Sequence, residues 1–260
     1  MSPPRRRGPV ERHVELERLF GADFLPLARP RPGQKPAERS KQAPEQRQER
    51  RKEPAAQPAV APTGIDRQRQ KPSEGGPEFA KFRDEVLACR KCGLCETRTQ
   101  VVFGVGTLKA PVVFVGEAPG ADEDRLGEPF VGRAGQLLTQ SLAKVGVRRV
   151  QVYIANILKC RPPENRTPRP DEMAACLPYL MKQLEWIQPG RVCALGNVAV
   201  QALLGTTQGI SRLRGQYHDF QGRKLFATFH PAYVLRNMSM STVFESDLRT
   251  VCRDAGLAVR

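Results

Sequence analysis

The sequence predicts an α/β fold, a central and mostly parallel sheet of four strands with helices on both faces, giving a three-layer sandwich. Three observations lead there. Four short apolar runs of strand length recur between residues 112 and 229. Stretches with helical spacing of apolar residues separate them, the alternation that right-handed crossovers between parallel strands produce. Unusual residues, among them Gly116, Asn156 and His230, stand in or just after those runs, and ligand sites in such folds gather at the carboxyl ends of strands.

Taken in order, Gly75-Gly76-Pro77 precedes a short helical stretch over 78–87 and a cysteine-rich turn, Cys89-Arg-Lys-Cys92-Gly-Leu-Cys95. Residues 112–115 form an apolar run ending in Gly116, the pattern of a buried parallel strand. A helix follows over 133–145, where Ala134, Leu137, Leu138, Leu142 and Val145 share one face. Residues 150–158 read as the second strand, and 169–187 as a helix opened by Pro170-Asp171-Glu172. The third strand spans 192–195, and the next helix spans 197–204 with Asn197 as its N-cap. A fourth strand over 224–229 and a helix over 242–255 close the chain.

Composition divides the chain at about residue 77. Residues 1–77 hold 13 of the 23 prolines, no Cys, Trp or Tyr, and 17 Lys and Arg against 10 Asp and Glu. Such a segment cannot bury enough apolar surface to offset roughly 1 to 2 kcal/mol of ordering entropy per residue, so it is expected to be a disordered basic tail. Residues 78–260 carry all seven cysteines and the only Trp, and are long enough for one well-buried core. The formal net charge of +15 is shared by both parts. It favours a polyanionic partner such as nucleic acid, though a surface tuned for solubility reads the same way. No apolar run reaches the roughly 18 residues of a membrane span, and Arg5–Arg7 are not followed by the apolar core of a secretory leader. Glu11, Glu15 and Glu17 disfavour a mitochondrial presequence, so a cytoplasmic protein is expected.

Four groups of residues carry chemistry. Cys89 and Cys92 form a CxxC pair, with Cys160 after a strand and Cys176 in a helix; four thiolates can hold either zinc or an iron-sulfur cluster, and spacing does not choose. Cys95 can replace a ligand, while Cys193 and Cys252 read as buried structural thiols. At the end of the first strand, Gly116-Glu117-Ala118-Pro119-Gly120 lets backbone approach a ligand and places one carboxylate beside it, though a plain turn with a solvated Glu looks alike. Farther on, Phe130 precedes Gly132 and Gly135 at a helix start, which can stack a base and hold a phosphate, or simply pack a core Phe. Asn156 is polar in an apolar strand, and its amide matches a pyrimidine edge if backbone does not satisfy it. His230, before Pro231 at the end of the last strand, can donate to developing negative charge or serve a structural role.

Together these residues resemble the family 4 uracil-DNA glycosylases. The resemblance runs from Cys89 to Leu248: CxxCxL, then 98–104, the GEAPG motif, Pro129-Phe-Val-Gly-Arg-Ala-Gly-Gln-Leu-Leu138, Asn156-Ile-Leu-Lys-Cys-Arg-Pro-Pro163 and His230-Pro-Ala-Tyr233. It implies a uracil-DNA glycosylase-like fold and a monomer that hydrolyses the N-glycosidic bond of deoxyuridine in single- or double-stranded DNA, starting base excision repair beside the bacterial nucleoid. It also implies a structural [4Fe-4S] cluster on Cys89, Cys92, Cys160 and Cys176. By the same resemblance, Phe130 stacks on the flipped uracil, Asn156 pairs with its N3 and O4 edge, and thymine is refused for want of room for its methyl group. Glu117 positions or activates water, Gly116 and Ala118 line the pocket, and His230 stabilises the leaving uracil oxygen. Gly132 and Gly135 lie where DNA phosphate is held, and Leu235 and Arg236 are the expected wedge in the minor groove.

Two departures refine the resemblance. The sister group that bonds covalently to the abasic sugar carries a reactive His in an inserted loop; here that region is Arg161-Pro-Pro-Glu-Asn-Arg-Thr-Pro-Arg-Pro170, so turnover is expected. Family 5 enzymes lack an acid in the first motif, where this chain has Glu117. In the tail, residues 14–20 loosely resemble peptides that dock on bacterial sliding clamps, with Glu where Gln is usual. The competing reading is a noncatalytic metal-cluster DNA-binding protein on the same fold. A nucleotide-binding redox protein is disfavoured, because Gly116-Glu-Ala-Pro-Gly120 does not fit GxGxxG.

Overall fold

The structure, a computed structural model, describes residues 75–260; the predicted tail, with its 14–20 peptide, lies outside the described residues apart from its last three positions. In chain order the elements are α1 (Gly76–Leu87), α2 (Leu94–Thr97), β1 (Val105–Gly106), β2 (Val112–Gly116), α3 (Ala121–Leu126), α4 (Arg133–Lys144), β3 (Tyr153–Asn156) and α5 (Pro170–Ile187). They continue as β4 (Arg191–Leu195), α6 (Asn197–Leu204), α7 (Ile210–Leu213), β5 (Tyr217–Phe220), β6 (Arg223–Thr228), α8 (Pro231–Arg236) and α9 (Ser241–Asp254).

The sheet order is β1-β3-β2-β4-β6-β5, with the four inner strands parallel and both edge strands antiparallel. The four inner strands are the four predicted, and each is apolar on both faces because helices cover both. On one face Val113, Val115, Tyr153, Ala155, Val192, Ala194 and Leu225 pack against Leu180 and Leu184 of α5 and Ala199 and Leu203 of α6. On the other, Val112, Phe114, Ile154, Cys193, Leu195 and Phe226 pack against Leu138 and Leu142 of α4 and Phe244 and Leu248 of α9. No helix among the described residues is long and apolar enough to cross a membrane.

The two edge strands are additions to the predicted sheet. Two-residue β1 is too short to show a period; it meets β3 only because Gly106, at φ 132°, has no β-carbon to strike the Val152 carbonyl. Strand β5 is polar and half-exposed, and joins β6 through Gln221-Gly222, both at positive φ as a two-residue hairpin requires. Residues 149–151 form a 3-10 turn and the strand ends at Asn156, so the second predicted strand, 150–158, is shorter at both ends. The cap of α6 is Gly196, at φ 88°; the expected cap, Asn197, is the first helical residue and accepts instead from the Ile210 amide at 3.0 Å.

One buried ion pair ties α9 to the sheet next to His230. Asp247 accepts from Arg214 Nη2 at 3.0 Å and from the Thr228 hydroxyl at 2.6 Å, and Thr228 is the last residue of β6. Replacing Asp247 by Ala leaves a guanidinium and a buried hydroxyl without their acceptor, which costs roughly 3 kcal/mol. The expected result for Asp247→Ala is a lower denaturant midpoint at unchanged slope, read by urea unfolding.

Candidate active site

The carboxyl ends of β2, β3 and β6 lie along one edge of the sheet. Gly116 ends β2 directly opposite Asn156, the last residue of β3. A β-carbon at Gly116 would lie 2.4 Å from Asn156 Oδ1 and 2.5 Å from Phe130 Cζ, so only glycine leaves these two side chains their places. Asn156 is 2% exposed, and its Oδ1 has no hydrogen-bond partner among the described residues. A buried acceptor left unpaired costs about 1 to 3 kcal/mol, unless a ligand brings a donor. The backbone, one of the two partners weighed for this amide, thus leaves its oxygen unmet.

Phe130 is held in a backbone shape that few side chains adopt, at φ 53°. Three neighbours hold it. Glu123 Oε1 accepts from the amides of Val131 and Gly132, both at 2.9 Å, while its Oε2 accepts from Gly120 at 3.1 Å. Arg149 Nη2 donates to the Pro129 carbonyl at 2.5 Å. Gly135 is buried against the Phe130 backbone, where a β-carbon would overlap the Phe130 carbonyl. Glu123 thus takes the two amides just before α4, those of Val131 and Gly132, and the Gly135 backbone faces Phe130.

His230 follows β6 and caps α8, with Nδ1 accepting from the Ala232 amide at 3.1 Å. In the neutral ring this places the proton on Nε2. Burial, with the charge of Arg236 adding to it, pulls the His230 pKa down to about 4, so the ring is a neutral donor near pH 7. Its centroid lies 5.6 Å from that of Phe130. Gly196 makes room on the other side, since a β-carbon there would lie 2.7 Å from His230 Cβ. Glu117 is half-buried, and burial raises its carboxyl above the usual range. Ala118 beside it is half-buried too. In α8, Leu235 is half-buried on the second core while Arg236 is exposed; Tyr233 and Met238 flank them as exposed apolar side chains at 39% and 58%.

A cavity lies on the α1 and α5 side, lined by Cys89, Cys92, Cys95, Cys160 and Cys176 together. Among the described residues no three His, Cys, Asp or Glu converge closely enough to hold one metal ion. A ring of thiols around one cavity is a donor set suited to a metal centre held by sulfur. Donors suited to sulfur ligands are in place. Arg98 Nη1 donates to Cys160 Sγ at 3.2 Å, and the Lys159 amide to Cys176 Sγ at 3.1 Å. Burial raises the thiols of Cys92 and Cys160 and takes Cys176 to about 12, so binding a metal there would release protons. Cys193 and Cys252 are fully buried in the opposite core.

Comparison with known proteins agrees with this geometry. The uracil DNA glycosylase superfamily model matches residues 103–252, and the chain belongs to that superfamily. Within it, the chain is 48% identical over 177 residues to a protein named Type-4 uracil-DNA glycosylase from Archaeoglobus fulgidus, covering 64% of this chain and 88% of that one. Proteins of the same name from Thermotoga maritima (49% over 158 residues; 60% and 82% covered) and Pyrobaculum aerophilum (43% over 181; 66% and 91%) agree, which makes this chain a member of the type-4 group.

Glu123, Arg149 and Gly196 were not singled out in the sequence, because each acts through a close tertiary contact that composition does not reveal. For Glu123 one signal was legible: an acid three residues after Gly120 fits a capping box. Glu123→Ala releases the Phe130 turn; a drop in kcat/KM of at least about tenfold on a deoxyuridine oligonucleotide is expected, with partial recovery in Glu123→Gln.

Proposed function

We propose that this chain hydrolyses the N-glycosidic bond between uracil and deoxyribose in DNA, releasing the base and leaving an abasic site for base excision repair. The observation that carries this reading is the unpaired Asn156 Oδ1, buried beside Gly116 and Phe130 at the end of β3. An acceptor with an adjacent amide donor is what the N3–H and O4 edge of uracil would meet, with the ring stacked on Phe130 and the base flipped out of the strand. Gly116 and Ala118 line the base, and thymine is refused for lack of room for its methyl.

The chemistry divides between two side chains. As the bond from C1′ to N1 breaks, its electron pair passes to uracil, and the His230 Nε2–H donates to the developing oxyanion. A neutral donor serves because it stabilises the anion without having to be charged first. Glu117 orients water toward C1′ and takes its proton while the oxygen bonds to carbon. Turnover is expected, without a covalent link between protein and sugar.

Cys89, Cys92, Cys160 and Cys176 would hold a [4Fe-4S] cluster, with Cys95 beside them. Such a cluster would supply four fixed iron–thiolate bonds that join the turn after α1 to the segment after β3 and to α5, a structural role. Leu235 and Arg236 would fill the gap left by the flipped base, with exposed Tyr233 and Met238 beside them on the same segment. Gly132 would face the strand from the start of α4, and Gly135 would act from beneath by seating Phe130. The chain would work as a monomer in the cytoplasm, at the nucleoid, with residues 14–20 as a docking peptide for the sliding clamp.

Release of uracil from a labelled single-stranded oligonucleotide, with a thymine control, tests the proposal. Cleavage is expected only at uracil, and none by cluster-loaded protein would favour the noncatalytic DNA-binding reading. His230→Ala should slow single-turnover cleavage by a few hundredfold, about 3 to 4 kcal/mol of transition-state stabilisation. A rate within threefold of the parent would remove His230 from the chemistry. With His230 neutral down to about pH 4 and Glu117 raised, the acid limb of kcat belongs to Glu117. Activity should fall as pH drops through the Glu117 pKa, and Glu117→Gln should be slow with no such limb.

A further inference from the structure

Lys159 is a lysine with no surface. It is 2% exposed, and no carboxylate forms an ion pair with it among the described residues. Its ammonium donates to the main-chain carbonyl of Asn156 at 3.0 Å and to Gln183 Oε1 at 2.7 Å. The Gln183 amide nitrogen donates in turn to the Phe103 carbonyl at 2.8 Å and the Tyr153 hydroxyl at 3.0 Å. At its other end, the Lys159 main-chain amide donates to Cys176 Sγ at 3.1 Å.

A core that needed only volume here would be filled by Met or Leu, since burying an ammonium without a carboxylate is unfavourable. What the ammonium does that an apolar side chain cannot is grip the carbonyl of Asn156. That carbonyl belongs to the last peptide of β3, and fixing its plane limits how Asn156 turns about its own Cα. The side chain so fixed is the one with the unpaired oxygen beside Gly116. Gln183 lies two helical turns after Cys176 on α5, so the grip is anchored to the helix that lines the cysteine cavity.

We infer that Lys159 is a positioning residue for base recognition, holding the Asn156 amide at the angle that uracil requires and fastening it to the wall of the cysteine cavity. The inference rests on Asn156 reading the base. It assigns Lys159 no proton transfer and no contact with substrate.

The test is a double-mutant cycle on full-length, cluster-loaded protein, read by kcat, by inhibition with free uracil, and by iron per chain. Lys159→Met should keep its iron and bind uracil-free single-stranded DNA within twofold of the parent, while kcat and uracil inhibition each weaken at least tenfold. Adding Lys159→Met to Asn156→Ala should cost less than a further twofold, because a residue acting through Asn156 has nothing left to position. Additive losses in the double variant would overturn the inference in favour of general core support, as would a Lys159→Met enzyme with parental kcat and uracil inhibition. If Asn156→Ala itself leaves uracil inhibition unchanged, the base-reading role of Asn156 fails and the inference falls with it. Should Lys159→Met not accumulate with iron, Gln183→Met removes one of the two ammonium anchors. It should weaken uracil inhibition at least threefold, again only when Asn156 is present.

Discussion

The four parallel strands end together, and almost everything at the site follows from that shared register. Parallel pairing sets Gly116 opposite Asn156 and Leu195 opposite Thr228, so the loops that leave β2, β3 and β6 rise from one edge of the sheet. Residues far apart in the chain thereby become neighbours. The strands cannot slip without moving their apolar side chains out of both helical layers, since each inner strand is buried on both faces. Packing energy thus sets the spacing of polar groups that contribute little to stability themselves.

On that frame the site is built by restraint. Phe130 occupies an uncommon backbone region that persists only because a carboxylate, a guanidinium and a bare glycine surround it. Gly116 and Gly196 do the same by omission, each leaving a space that a methyl group would fill. Asn156 is left with an unmet acceptor. A ligand that met this aromatic face and this amide would find both already in place, so little ordering entropy would be spent on binding.

The electrostatics divide by distance. The overall charge of +15 acts at long range on a polyanion. At the strand ends the two ionisable groups are moved by burial: His230 is kept neutral and Glu117 is raised. Two donors beside the cysteines, the Arg98 guanidinium and the neutral Lys159 main-chain amide, point at sulfur, which suits ligands that carry negative charge when metal is bound.

Period and composition determined the four inner strands, the long helices and the chemical types at the strand ends, because apolar spacing is a local property that burial on two faces enforces. The hairpin through Gln221-Gly222 was legible in principle, but the polar strand β5 has no apolar alternation to announce it, and β1 is too short for any pattern. Whether Cys95 shares the cavity of the four expected ligands was not decidable from spacing, for the turn after α1 could present it either way. The sequence by itself determined that Gly116, Asn156 and His230 stand in or just after strands. Only the tertiary structure decided that Glu123 claims the two amides just before α4, that Gly135 seats Phe130, and that Lys159 reaches back to Asn156. These depend on distances between backbone groups and side chains brought together by packing, and no local pattern of residue types encodes such distances.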